Sequence, residues 1–177
     1  IRQLRVPDKD ACTALENAAF QVPEHRCSAQ KLEYRLSTCA ELCFGVFGTI
    51  PETMTGFPAS NEHLLAHIIG TRTNSVVITD AAMDYPRNNT AAPGVGHQPH
   101  GRTIAIHSLA SMPDAAGYGL GRSLLTSFLR YVRGLDDADR ISLICQKHLI
   151  DYYTRFGFVH LGPSKATFGG GGWHDMV

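Results

Sequence analysis

The chain carries no surplus of charge: 16 Lys and Arg stand against 16 Asp and Glu, for a formal net charge of zero. That balance argues against partners recruited by global charge, so neither nucleic acid nor a membrane surface is expected. No apolar run approaches the roughly 20 residues of a bilayer span, and no signal peptide is visible. Because the sequence opens at Ile1 rather than Met, it reads as a trimmed or partly ordered piece, with a lost leader left open. Zinc-type spacing is missing too. Cys12, Cys27, Cys39, Cys43 and Cys145 are odd in number and form no C-x-x-C pair. They read as reduced thiols packed as small hydrophobes, which points to a cytoplasmic protein without a metal. There is also no internal repeat and no Walker lysine.

What is present suits a single domain over 1–177. The chain has 177 residues, 44% of them hydrophobic and 18% charged, enough to bury a proper core. Ile1–Val6 reads as a strand stopped by Pro7-Asp8, and Lys9–Phe20 as a helix with apolar residues at helical spacing. Ser28 caps a second helix running through Leu36. Leu42–Phe47 and His63–Thr71 are apolar strand patterns, joined by a Pro/Gly-containing loop, and Thr79–Met83 is a short helix. Arg87–Gly101 is rich in Asn, Pro and Gly and reads as a long loop, either a functional segment or a surface insertion. Beyond the central segment, Arg140–Cys145 is a strand, Leu149–Thr154 a short helix, and further strands begin at Phe156 and Trp173.

The chain is organised around Gly101–Arg133: a strand (Arg102–Ser111), a glycine-rich turn, then an amphipathic helix starting near Gly119. A helix N-terminus offers unpaired N–H groups and the positive end of the dipole. Glycines let that backbone approach an anion closely, so the unit is suited to a phosphate.

This unit, with G-Y-G-L-G at 117–121 followed by I-D-Y-Y-T-R-F-G-F at 150–158, resembles the GNAT superfamily of acetyl-CoA-dependent N-acetyltransferases. Four further stretches narrow the likeness: A-E-L-C-F-G-V-F (40–47), A-H-I-I-G-T (66–71), I-A-I-H-S-L (104–109) and W-H-D-M (173–176). They are similar to the serotonin (arylalkylamine) N-acetyltransferases and their fungal relatives that acetylate polyamines and arylalkylamines. The resemblance implies an α/β fold, a single domain with a mixed, splayed sheet flanked by helices and acetyl-CoA held between two parallel strands. Two departures stand out. Ala116 occupies the place of a Gln or Arg in the family turn. Ala105 occupies the first position of an H-x-H pair, so a two-histidine proton relay is not expected.

An alkylamine with a pKa near ~10.4 is almost wholly protonated at neutral pH, so a proton acceptor is needed. His107 is the candidate base, directly or through water. The plain alternative is a structural histidine on a half-buried strand. A backbone N–H near Leu109 is the expected oxyanion donor, aimed by a bulge. By the resemblance, the pantetheine arm pairs with Leu109, Ala110 and Ser111. The phosphates meet the amides of Gly117, Tyr118, Gly119, Leu120, Gly121, Arg122 and Ser123, with the Arg122 side chain as a further contact. Tyr153 matches the family tyrosine and is the candidate acid for the departing thiolate; packing is its alternative role. His63 and His67, four apart on a strand, lie about 13 Å apart and share no metal. His97, His100 and His174 read as solvated.

The expected partners are therefore acetyl-CoA and a small-molecule amine. The amine pocket is expected from Phe20–Ser28, from Glu41–Phe44 and from the segment near Phe168. Phe20, Phe44 or Phe168 would receive an aryl ring; Glu24, Glu33 or Glu41 would attract a polyamine. Competing readings are a peptide or protein N-acetyltransferase, a non-catalytic acetyl-CoA sensor, and another phosphate-binding module.

Overall fold

The computed structural model describes residues 1–49, 62–87 and 92–177. Its strands, β1 (Arg2–Gln3), β2 (Cys43–Gly48), β3 (His63–Thr73), β4 (Thr103–Ser111), β5 (Arg140–Cys145), β6 (His160–Pro163) and β7 (His174–Met176), form a mixed seven-stranded open sheet in the order β1-β2-β3-β4-β5-β7-β6, flanked by helices. The expected connecting loop lies outside the described residues from position 50 onward, as do residues 88–91 of the Asn/Pro/Gly-rich segment. Contacts divide the chain into two compact units: Ile1–Ile69 with Ser108–Phe128, and Gly70–His107 with Leu129–Val177. Among the described residues, no helix is long and apolar enough to cross a membrane.

In the first unit, the expected opening strand shrinks to β1, Arg2–Gln3, because Val6–Asp8 coils into a 3-10 turn. Asp8 is the reason. Its carboxylate accepts both Arg2 guanidinium nitrogens, at 2.9 and 2.7 Å, and the Arg5 amide at 2.8 Å. The Arg2 guanidinium also lies 3.7 Å from the centre of the Phe47 ring, a cation–π contact. Helix α1, Lys9–Ala19, buries Cys12, Leu15 and Glu16 along one stripe. It packs on α2, Ala29–Thr38, whose first turn is capped by Ser28 Oγ accepting the Lys31 amide at 3.3 Å. Strand β2, Cys43–Gly48, pairs antiparallel with β1 and with β3, His63–Thr73. The core here gathers Leu4, Leu15, Leu32, Leu36, Leu64 and Ile69.

Salt-bridged Asp8 gives a testable acid lability. The Arg2 hydrogen bonds, opposed by desolvation and helped by the Arg5 amide, hold its carboxyl below the usual range. A depressed folded-state pKa contributes stability above the unfolded value, ~3.9, and that contribution is lost as pH falls through the folded value. The melting temperature should therefore stay level down to about pH 5 and drop below about pH 4, with a shallower drop in Asp8→Asn. Thermal denaturation followed by circular dichroism at each pH checks this.

The second unit holds α3 (Asp80–Met83), the start of β4 (Thr103–Ser111), β5 (Arg140–Cys145), α5 (Ile150–Thr154), β6 (His160–Pro163) and β7 (His174–Met176). Thr79 Oγ1 caps α3 by accepting the Ala82 amide. β4 runs parallel to β5, paired from Thr103↔Arg140 to Ile106↔Leu143. β5 and β6 each pair antiparallel with β7. The strand expected from Phe156 begins instead at His160, because Gly157 adopts φ +93° and turns the chain first. Gly101 sits where a Cβ would fall 2.5 Å from the Thr73 carbonyl carbon, so only glycine lets the chain pass there into β4. The neighbouring Arg72 guanidinium ties the Gly101 carbonyl to Asp137.

Candidate active site

The central segment folds as expected. β4 ends at Ser111, Pro113–Ala115 makes a 3-10 turn, and α4 spans Leu120–Arg133. Gly117 and Gly119 have φ of +85° and +71°, a region L-residues avoid. No atom lies within 4 Å of a Cβ built on either, so conformation, not crowding, selects glycine. The Ser123 amide donates to the Gly119 carbonyl at 2.9 Å, which sets the first helical bond. Leu120, Gly121 and Arg122 then have no intrahelical carbonyl for their amides. Ser123 is the exception among the expected phosphate donors, since its amide is already used inside the helix. Tyr118, Gly119, Arg122 and Ser123 are exposed, while Leu124, Leu125 and Phe128 face inward and Phe128 meets Phe44 edge-on at 6.1 Å. Phe44 is thus partly committed to packing, and Phe20 lies against the first unit's core.

His107, half-buried on β4, has both ring nitrogens engaged. Nε2 lies 2.7 Å from Thr71 Oγ1 and Nδ1 lies 3.2 Å from Met83 Sδ. A thioether can only accept, so the contact with Met83 assigns the hydrogen to Nδ1. Nε2 then accepts from the Thr71 hydroxyl. That hydroxyl can reverse and accept from the ring once Nε2 is protonated, so the same partner suits both charge states. Thr71 closes the A-H-I-I-G-T stretch, which carried no role for it, and Met83 lies in none of the quoted stretches.

Tyr153 is buried, its ring edge-on to Tyr152 at 5.1 Å and to Phe158 at 5.8 Å. Burial, with lesser contributions from Tyr152 and Cys145, pushes its phenol well above the usual range. The group therefore stays protonated at every physiological pH. Burial also raises the Cys12 and Cys27 thiols and pushes Cys145 up to about 11. Protonated thiols make poor nucleophiles. None of the five cysteines is in a disulfide.

The residues missed by sequence reasoning form a buried polar cluster. Glu16 Oε1 accepts from the Ser108 hydroxyl and lies 2.9 Å from His67 Nε2, and Oε2 accepts the Cys27 amide at 2.7 Å. All three side chains are buried. His67 Nδ1 has no hydrogen-bond partner among the described residues, which leaves the hydrogen on Nε2, directed at the carboxylate. Arg35, also buried, donates to Cys27 Sγ at 3.2 Å. One signal was available: Glu16 falls on the apolar stripe of its helix, between Cys12 and Ala19.

Two of the histidines expected in solvent are engaged instead. His97 Nδ1 accepts the Arg72 amide at 3.2 Å, and His174 Nδ1 lies 2.9 Å from His160 Nε2. Of the three carboxylates considered for a cationic substrate, Glu33 pairs with Lys9 at 3.1 Å and Glu41 accepts from the Cys39 thiol. Among the described residues, no group of three or more His, Cys, Asp or Glu is placed to hold a metal ion.

Residues 12–158 match the acetyltransferase (GNAT) family. The chain is 27% identical over 170 residues to the serotonin N-acetyltransferase of Mesocricetus auratus, across 95% of this chain and 71% of that protein. Among solved structures, the NatC complex bound to Gag peptide and CoA is similar with a TM-score of 0.65 at 15% identity, over 99% of this chain and 94% of that one. The GNAT-like decarboxylase GphF in complex with isobutyryl-CoA is similar with a TM-score of 0.61 at 19% identity, over 88% and 70%. At such identities these structures speak for the fold alone.

Proposed function

The chain belongs to the acetyltransferase (GNAT) family, and on that premise we propose that it acetylates the primary amine of a small arylalkylamine or polyamine. Acetyl-CoA supplies the activated acetyl group, and the amine attacks it directly in a ternary complex. What carries the reading is the Gly117–Gly119 turn, whose positive φ values deliver the free amides of a 14-residue helix just after β4. That donor set fits a pyrophosphate. Leu109, Ala110 and Ser111 extend β4 beyond its ladder with β5, and their backbone would pair with the pantetheine arm. The Leu109 amide is the proposed oxyanion donor.

The amine proton, directly or through water, passes to the Thr71 hydroxyl as that hydroxyl hands its own hydrogen to His107 Nε2, so the ring is the final acceptor. Tyr153 returns a proton to the thiolate. The aryl branch has more support than the polyamine branch. Met83, Ile144 and Phe168 lie in one apolar cluster in the unit that carries His107, whereas Glu33 and Glu41 already have partners. The similarity to a serotonin N-acetyltransferase points the same way.

Free-thiol release from acetyl-CoA, measured with tryptamine, spermidine, putrescine and a short peptide, tests the reading. Tryptamine should react best. Tight CoA binding without release from any amine would favour the sensor. For the base, His107→Ala should remove the acidic limb of the kcat/KM profile; an intact limb would show that the proton leaves elsewhere. Gly119→Ala forces a left-handed L-residue at a cost of about 1–2 kcal/mol. Calorimetry should therefore show CoA binding weakened by roughly tenfold, with the helix still formed.

A further inference from the structure

Four glycines, 169–172, separate Phe168 from Trp173, and all four have positive φ: 58, 97, 78 and 76°. Such a segment has no side chains to pack and loses more freedom on ordering than any other backbone. It cannot hold two aromatic rings in place by itself. Contacts at its ends do so. The Trp173 indole N–H donates to the Phe168 carbonyl at 2.6 Å. From far away in sequence, the Asp80 carboxylate accepts the Thr167 amide at 2.9 and 3.0 Å, the Thr167 hydroxyl at 2.8 Å and the Phe168 amide at 2.8 Å. Hydrogen bonds to a charged acceptor are roughly twice as strong as neutral ones. Here three donors from two consecutive residues converge on one group.

Asp80 is also the first residue of α3, and Met83 is its last. Phe168 packs against the cluster of Ile78, Met83 and Ala105, and Met83 Sδ accepts from His107 Nδ1. One carboxylate thus links the aromatic segment to the residue that touches the His107 ring. Its oxygens are already occupied, so it is poorly suited to bind a substrate cation itself.

We infer that Asp80 is a positioning residue for the amine: it fixes the Phe168–Trp173 segment against Met83, and so selects amines with a bulky apolar body. The inference rests on the amine-acetylating role of His107 given above. Substrates small enough to ignore the aromatic segment should depend on Asp80 much less.

Trp173 is the single tryptophan of the chain, so its fluorescence reads the segment without any need for turnover. The variants are Asp80→Ala, Asp80→Asn and Asp80→Glu, studied by Trp173 emission, acrylamide quenching and kinetics with tryptamine and putrescine. In Asp80→Ala and Asp80→Asn, KM for tryptamine should rise between about 10- and 100-fold, as for a lost positioning contact. Putrescine should be affected far less and acetyl-CoA not at all. Trp173 emission should shift to the red and quench more readily, and Asp80→Glu should recover part of both effects. Unchanged Trp173 signals, or equal losses for the two amines, overturn the inference while leaving wild-type acetylation intact. A wild-type protein that acetylates neither amine overturns the functional reading and the inference together.

Discussion

Tyr153→Phe should lower kcat by about 10²-fold, the usual scale for losing a positioned general acid, and leave KM for acetyl-CoA nearly unchanged. The substitution keeps the ring, so the edge-on contacts with Tyr152 and Phe158 survive and only the hydroxyl is removed. Burial keeps that hydroxyl protonated beyond the ordinary phenol range. Tyr153 therefore contributes no alkaline limb between pH 6 and 9, and the loss should be uniform across that window. Stopped-assay kinetics with saturating acetyl-CoA measure it directly. Turnover equal to wild type throughout that range would end the acid assignment and leave Tyr153 as a packing residue.

Glu16→Ala should be the most destabilising single substitution in the buried cluster. It strips partners from His67, Ser108 and the Cys27 amide at once, in a region none of them can leave. Breaking a buried charged network by removing one member costs about 3–5 kcal/mol. For a chain of this size that is a fall in melting temperature of roughly 10 °C. The asymmetry of polar burial supplies a control. Replacing all three side chains by apolar groups, as in Glu16→Leu with His67→Phe and Ser108→Ala, removes two of the three orphaned groups along with the bonds and leaves only the Cys27 amide. The triple variant should recover much of the loss, and one less stable than Glu16→Ala would refute this account. Arg35 is retained in both, so its contact with Cys27 Sγ does not enter the comparison.

Local chemistry accounts for what was legible beforehand. The Ser28 cap, the amphipathic α4, the strands flanking it and the short helix near Thr79–Met83 all depend on neighbours within a few positions, and all appear close to their expected bounds. Errors arose where a side chain or a backbone angle overrode the pattern. Asp8 pulled Val6–Asp8 out of the first strand, and Gly157 delayed β6 by four residues, from Phe156 to His160. His97 and His174 looked solvated because nothing near them in sequence announces Arg72 or His160.

His107 and Tyr153 were singled out through motifs, whereas their surroundings were not. Thr71 stands 36 positions from His107, Glu16 stands 51 from His67, and Asp80 stands 87 from Thr167. No periodicity or spacing rule reaches across such separations.

The sequence alone determined the order of strands and helices, the glycine turn that frees the α4 amides, and the family to which the chain belongs. Each of these follows from residues close together along the chain. Only the tertiary structure decided which hydrogen-bonding groups meet inside. It turned Glu16, His67 and Ser108 into one buried network, gave His107 its two partners and set Asp80 on the Thr167–Phe168 backbone. The physical reason is that a buried polar group must find a partner, and packing rather than sequence proximity decides which one it finds.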